Sequence, residues 1–185
     1  MENKHPKIFL ISGKARNGKD TITDFIINEY QKRSKKAIRL AFGDYIKMYA
    51  KKISDWDGRE ETKPRELLQN LGTELIRNEI DELFFVKRIC DDIRVYSYFF
   101  DVLVVSDVRM KNEIEIPERL FDNVIKINIV RPNLESPLTE SQQHHQTECD
   151  LDNYNNYDKI VVNDGTLEEL EKKIEKLIEV IEDEY

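Results

Sequence analysis

Apolar residues along the chain fall into two spacings. Short runs bounded by polar residues occur at Ile8–Ser12, Ala37–Phe42, Asp101–Ser106, Val124–Val130 and Lys159–Val162, and runs of this length read as buried strands. Helical sequence fills the intervals: Lys19 to about Lys32, most of Asp44 to about Tyr98, and Asn112–Leu120. Pro64 fits the first turn of a helix, where its missing N–H costs nothing. At the end of the chain Thr166 and Glu169 have capping-box spacing, and Leu167, Leu170, Ile174, Leu177, Ile178 and Ile181 form one apolar stripe. The stripe is too short for a coiled coil and predicts a helix packed on a sheet. Strands alternating with helices predict an α/β fold of three layers, with a five-stranded parallel sheet and helices on both faces. The stretch 132–157, with Pro132, Pro137 and many Gln, His, Asp and Asn residues, reads as a long loop or flap.

A length of 185 residues suits one domain. The net charge of −8 argues against a broad footprint for nucleic acid or an anionic membrane, so any anionic ligand needs a local basic pocket. Cys90 and Cys149 are too few and too far apart for a disulfide framework, which favours a reducing cytoplasm. No apolar run reaches the roughly 20 residues of a membrane span, and Ile8–Ile11 is too short for a signal peptide. The pattern leaves a homodimer open.

Directly after the first strand comes Gly13-Lys14-Ala15-Arg16-Asn17-Gly18-Lys19-Asp20-Thr21. G-x-x-x-x-G-K between a strand and a helix is the Walker A phosphate loop, in which backbone N–H groups curl around phosphate oxygens and the lysine reaches the terminal phosphates. The helix N-terminus adds its positive end. Such a loop calls for ATP as ligand and Mg²⁺ as its companion. The position that usually carries a magnesium-binding hydroxyl is Asp20, whose carboxylate suits a hard cation; Thr21 can instead support the helix start. Lys14 and Arg16 add positive charge beside the phosphates. The third strand ends near Asp107, as a Walker B aspartate would, which makes Asp20 and Asp107 the metal candidates. Arg109 follows, either pairing with Asp107 or facing a phosphate.

These segments, together with Arg65-Glu-Leu-Leu-Gln-Asn-Leu-Gly-Thr-Glu-Leu-Ile-Arg77, Val105–Glu113, His145-Gln-Thr-Glu148 with Leu151, and Val162-Asn-Asp-Gly-Thr166, resemble the phage and bacterial deoxynucleoside monophosphate kinases of the P-loop superfamily. The resemblance implies a helical acceptor-binding insertion over about 44–98 and a lid over about 132–157, within one domain 1–185. It further implies that Phe42, Asp44, Lys47, Arg65, Gln69, Thr73, Arg77 and Glu148 surround the acceptor. Arg131 would flank the lid, and Asn163 and Gly165 would sit near adenine, unless Asn163–Thr166 is simply a turn into the helix cap. Glu148-Cys-Asp-Leu-Asp-Asn153 and the Gly-Lys-Asp loop are also similar to animal phosphomevalonate kinases, so the acceptor could be another phosphorylated metabolite.

In such a reaction the nucleophile is a phosphate oxygen, largely ionised near neutral pH, and no strong general base is needed. Lys19, Arg16, Asp107 and Arg109 are the candidates for catalysis, by positioning and charge neutralisation. Residues 132–158 contain no Lys or Arg, so positive charge must come from the body of the protein, with Arg77 or Arg109 on the acceptor phosphate. A nucleotide-binding module without turnover is the rival from another class. His144, His145, Glu148 and Cys149 lack the second cluster a zinc site needs.

Overall fold

A computed structural model describes residues 2–132, 134, 139 and 143–184. The strands are β1 (Lys7–Gly13), β2 (Ala37–Leu40), β3 (Val102–Val108), β4 (Val124–Val130) and β5 (Lys159–Val162). The helices are α1 (Lys19–Lys32), α2 (Phe42–Ile53), α3 (Arg65–Gln69), the π-helix π1 (Asn70–Ile80), α4 (Phe84–Tyr96), α5 (Asn112–Leu120), α6 (Gln146–Cys149) and α7 (Leu167–Glu184). The five strands form one parallel sheet in the order β2-β3-β1-β4-β5.

Burial on both faces of the sheet follows from side-chain alternation. Phe9, Ile11, Val104, Ile127 and Ile129 face α1 and α7, where they meet Ile22, Ile26, Leu170, Ile174 and Ile178. Ile8, Leu10, Leu103 and Val105 face the other way, onto Phe85, Ile89, Ile93 and Ile114. A two-residue period thus divides one strand between two cores. On α7 the stripe buries Leu170, Ile174, Ile178 and Ile181, while Leu167 is 62% exposed. The capping box forms as read: Thr166 N–H donates to Glu169 Oε2 (2.8 Å) and Glu169 N–H to Thr166 Oγ1 (3.2 Å).

Four sequence expectations shift. The second strand stops at Leu40, because Phe42 and Gly43 already donate their N–H groups to the Asp107 carboxylate at 2.8 Å each; a side chain from β3 thereby caps α2, whose own N-cap Ala41 supplies none. Helix is interrupted over 54–64. There Asp57 Oδ1 accepts from Arg59 N–H (3.0 Å) and Thr62 Oγ1 (3.0 Å), an Asx-type turn with Gly58 at φ 92°. Pro64 is the residue before α3 rather than in its first turn. Within 132–157 the short α6 appears; Pro137 lies outside the described residues.

Removing a cap should cost less than emptying the core. Thr166→Ala is expected to lower unfolding free energy by about 1 kcal/mol and Ile174→Ala by about 2–5 kcal/mol. Urea unfolding with an unchanged slope checks both, and equal losses would contradict this account of α7.

Candidate active site

All strands run in one direction, so the C-terminal ends of β1, β3 and β4 share an edge, the edge where open parallel sheets bind ligands. The phosphate loop lies there. Gly13 is held against β4, with φ 148°, and a Cβ on it would come within 2.6 Å of the Ile129 carbonyl. Asn17 Nδ2 donates to that same Ile129 carbonyl (2.8 Å), and Asn163 Nδ2 donates to the Asn17 carbonyl (3.0 Å). The loop is therefore braced from β4 and from the segment after β5. Arg16 is exposed at φ 62°, and Gly18 stands at φ 99° as the N-cap of α1, with no side-chain cap hydrogen bond.

Lys19 arches back over the loop, its ammonium donating to the carbonyls of Gly13 (2.7 Å) and Lys14 (3.0 Å). Burial lowers its pKa to about 8, and the Arg109 guanidinium adds to the effect against the opposing pull of Asp107 and Asp20. A buried ammonium made costly by desolvation and a neighbouring cation is a site that an anion would relieve. The loop thus fits a polyphosphate.

The fit for magnesium is looser. Asp20 is open to solvent and pairs with Arg39 (3.3 Å), which also donates to Ser106 Oγ (2.7 Å). Asp107 is engaged at α2, and among the described residues no group of three metal-ligating side chains gathers. An ion that keeps most of its waters and is carried by phosphates needs only one or two carboxylates.

Two cavities meet over the loop. One, of about 370 Å³, is lined by Gly13, Lys14, Asn17, Asn128, Tyr154 and Tyr157 among others. The second, of about 310 Å³, is lined by Ala15, Phe42, Arg65, Gln69, Thr73 and Arg77 with Asp107 and Glu113. Arg109, Thr147 and Glu148 belong to both. Gln69 closes α3, Thr73 and Arg77 follow at four-residue steps on the widened turns of π1, and all three line one cavity; π-helical turns occur often at functional sites.

Several sequence-derived candidates lie elsewhere or are already engaged. Asp44 and Lys47 pair with each other (3.0 Å) and line neither cavity, nor does the exposed Arg131. Asn163 braces the loop and Gly165 packs on Glu169, and neither lines these two cavities. Lys14 is bound to the Asp152 carboxylate and the Glu148 carbonyl, and Arg109 to the Glu148 carboxylate. The segment without cations therefore lays carboxylates on Lys14 of the loop and on Arg109 beside it. His145 Nδ1 accepts from Thr147 N–H (3.4 Å), a cap for α6.

In the sequence Glu113 is only the end of the Val105–Glu113 segment, and its importance is tertiary. Its side chain is 2% exposed and ion-paired to Arg77 (3.1 Å), and Oε2 accepts from the N–H groups of Arg109 (2.7 Å) and Met110 (3.1 Å). Burial pushes its pKa up to about 7; the Arg77 guanidinium and the two backbone N–H groups oppose the rise, and Asp107 adds to it.

Since the folded value exceeds the ordinary 4.5, the folded chain keeps this proton longer than the unfolded one. The stabilising contribution is full below about 4.5 and is lost as pH rises through about 7. The stability of wild type relative to Glu113→Gln should therefore decline over that window in denaturant titrations. A difference independent of pH would assign the titration to another group.

Comparison with known proteins places these features. Residues 35–174 match the family model for deoxynucleotide monophosphate kinase. The chain is 36% identical over 115 residues to the deoxynucleotide monophosphate kinase of Escherichia phage RB69 and 34% identical over 118 residues to that of Enterobacteria phage T4. The matched stretches cover 62% and 63% of this chain but 44% and 46% of those proteins, so the chain spans about half the length of these two relatives. A mimivirus protein provisionally named for the same activity is 28% identical across 90% of this chain and 93% of its own length. Among solved structures, the APS kinase of Mycobacterium tuberculosis in complex with AMPPNP and APS superposes with a TM-score of 0.58 at 14% identity, covering 95% of this chain and 98% of that one. Dephospho-CoA kinase from Campylobacter jejuni gives 0.53 at 15% identity, covering 96% and 98%. The fold is that of the P-loop kinases, and the chain belongs to the deoxynucleotide monophosphate kinase family.

Proposed function

We propose that this chain transfers the terminal phosphate of ATP to a deoxynucleoside monophosphate, giving the diphosphate and ADP. The observation that carries the reading is the meeting of two cavities at Arg109 over a phosphate loop, with Arg77, Gln69 and Thr73 on the far wall. Gly13 to Thr21 would hold the donor phosphates, with Lys19 on the terminal ones. Arg65, Gln69, Thr73 and Arg77, above Phe42, would hold the acceptor within a helical region of about 44–98, and residues 132–157 would act as the lid of a single domain.

The acceptor's phosphate oxygen forms the new P–O bond as the bond to the departing ADP oxygen breaks. That oxygen is already ionised near neutral pH, so the chain's task is alignment and charge neutralisation. Magnesium bound with ATP would spread the charge developing on the phosphates, with Asp20 and Asp107 as the nearest carboxylates of the loop and β3. Arg39 would then have to release Asp20. For Lys14 and Arg109 to reach phosphate, Asp152 and Glu148 must first give them up. The relatives with this activity support the choice of acceptor class.

Coupled ADP-release assays over dTMP, dGMP, dCMP and the ribonucleotides test the reading directly. Turnover is expected with at least one deoxynucleotide, and Lys19→Ala should slow it by about 10²-fold or more, the scale seen when a charge-stabilising donor is removed. No turnover with any of them would overturn the proposal.

The depressed Lys19 pKa makes a second demand. Above about pH 8 the free protein loses that proton, while bound phosphate restores it, so ATP binding must take up a proton and weaken as pH rises. Calorimetry near pH 8.5, in buffers of different ionisation enthalpy, should detect the uptake in wild type and not in Lys19→Met.

A further inference from the structure

Arg77 is held from three sides, although it lines the acceptor-side cavity. Its Nη1 donates to the Gly72 carbonyl (3.0 Å), its Nη2 to Glu113 (3.1 Å), and its guanidinium lies over the Phe85 ring at 4.8 Å. The side chains of Arg77 and Glu113 are 10% and 2% exposed. An ion pair buried this deeply contributes little net stability, because desolvation offsets most of the attraction. Its geometry accounts for it better than its stability does.

Glu113 divides its two oxygens between two jobs. Oε1 receives the Arg77 guanidinium, and Oε2 receives the backbone of Arg109 and Met110. Arg77 stands on π1, Glu113 on α5, and Arg109 on the turn out of β3, so one carboxylate ties the acceptor wall to the loop edge. The guanidinium keeps N–H donors beyond the two used here. Without Glu113 the Arg77 side chain loses its charged partner and the restraint on its direction.

We propose that Glu113 is a positioning residue for phosphoryl transfer: it acts through Arg77, aiming that guanidinium at the acceptor's phosphate while its other oxygen holds the Arg109 turn. The proposal rests on the reading of the second cavity as the acceptor site. Glu113→Gln is the selective probe, since the amide carbonyl can still accept from the two backbone N–H groups while the amide NH₂ cannot accept from Arg77.

Steady-state kinetics on Glu113→Gln, Arg77→Met and the double variant, with melting curves to establish folding, test the proposal. Glu113→Gln should lower kcat/KM for the deoxynucleotide by about tenfold, the scale of coupling within one network, with the ATP KM held within about twofold. In the Arg77→Met background the same change should add less than about twofold. A purely structural Glu113 would instead act equally in both backgrounds and move both substrates together, and that result overturns the proposal. An unchanged kcat/KM in folded Glu113→Gln does the same. If wild type turns over no deoxynucleotide, the functional reading fails separately and calorimetric binding of dTMP and dGMP decides this one. Binding weakened by about tenfold in Glu113→Gln supports it; equal binding, or none in wild type, overturns it.

Discussion

Parallel pairing of β1 with β3 on one side and β4 on the other is the constraint from which the site follows. β1 is covered on both faces and bonded along both edges, so its C-terminal end has one place to emerge. Gly13 pairs with Ile129 and Ser12 with Val108, and this register puts the loop, Asp107 and Arg109 on one short edge. A one-residue slip would exchange the residues facing the α1 layer with those facing the α4 layer, which the two distinct cores oppose. The rigidity needed to hold phosphate thus comes from apolar packing below it.

Above that edge the chain is organised by charge. An acidic protein concentrates Lys14, Arg77 and Arg109 around two joined cavities, with Lys19 in the adjoining loop, and supplies carboxylates to the first three. Glu113 serves Arg77 from α5; Glu148 and Asp152 reach Arg109 and Lys14 from the segment after β4. Among the described residues Lys19 donates to the Gly13 and Lys14 carbonyls, and burial lowers its pKa. The carboxylates differ in permanence. Glu113 is enclosed with its partner in the interior, whereas Lys14 and Asp152 are both about half exposed, a setting in which ion pairs hold weakly and exchange readily with another anion.

Asp107 shows why a strand-end aspartate is ambiguous on sequence grounds. It lies where a metal-facing residue would, yet both oxygens take N–H groups from the first turn of α2. The same carboxylate that would approach a phosphate-bound cation also ends β2 and starts the acceptor-side helices. Asn163, read as near adenine or as part of a turn into the helix cap, donates to the Asn17 carbonyl of the loop, a contact that neither reading contained.

Local chemistry made much of this protein legible in advance. Five apolar runs, helix periodicity, the Thr166–Glu169 box and the glycine-lysine loop depend on residues within a few positions of one another, and each appears at or close to its predicted bounds except the helical stretch 44–98, which breaks over 54–64. The sequence by itself therefore determined the layered α/β fold and the phosphate loop, because backbone propensity and side-chain alternation act over short range. Tertiary structure alone decided that Glu113 lies under Arg77, that Asp20 pairs with Arg39 and Asp107 caps α2, and that the segment after β4 sets its acids on Lys14 and Arg109. Those choices join residues 19 to 138 positions apart. At such separations spacing carries no signal, and burial, register and the balance of desolvation against charge determine which partners meet.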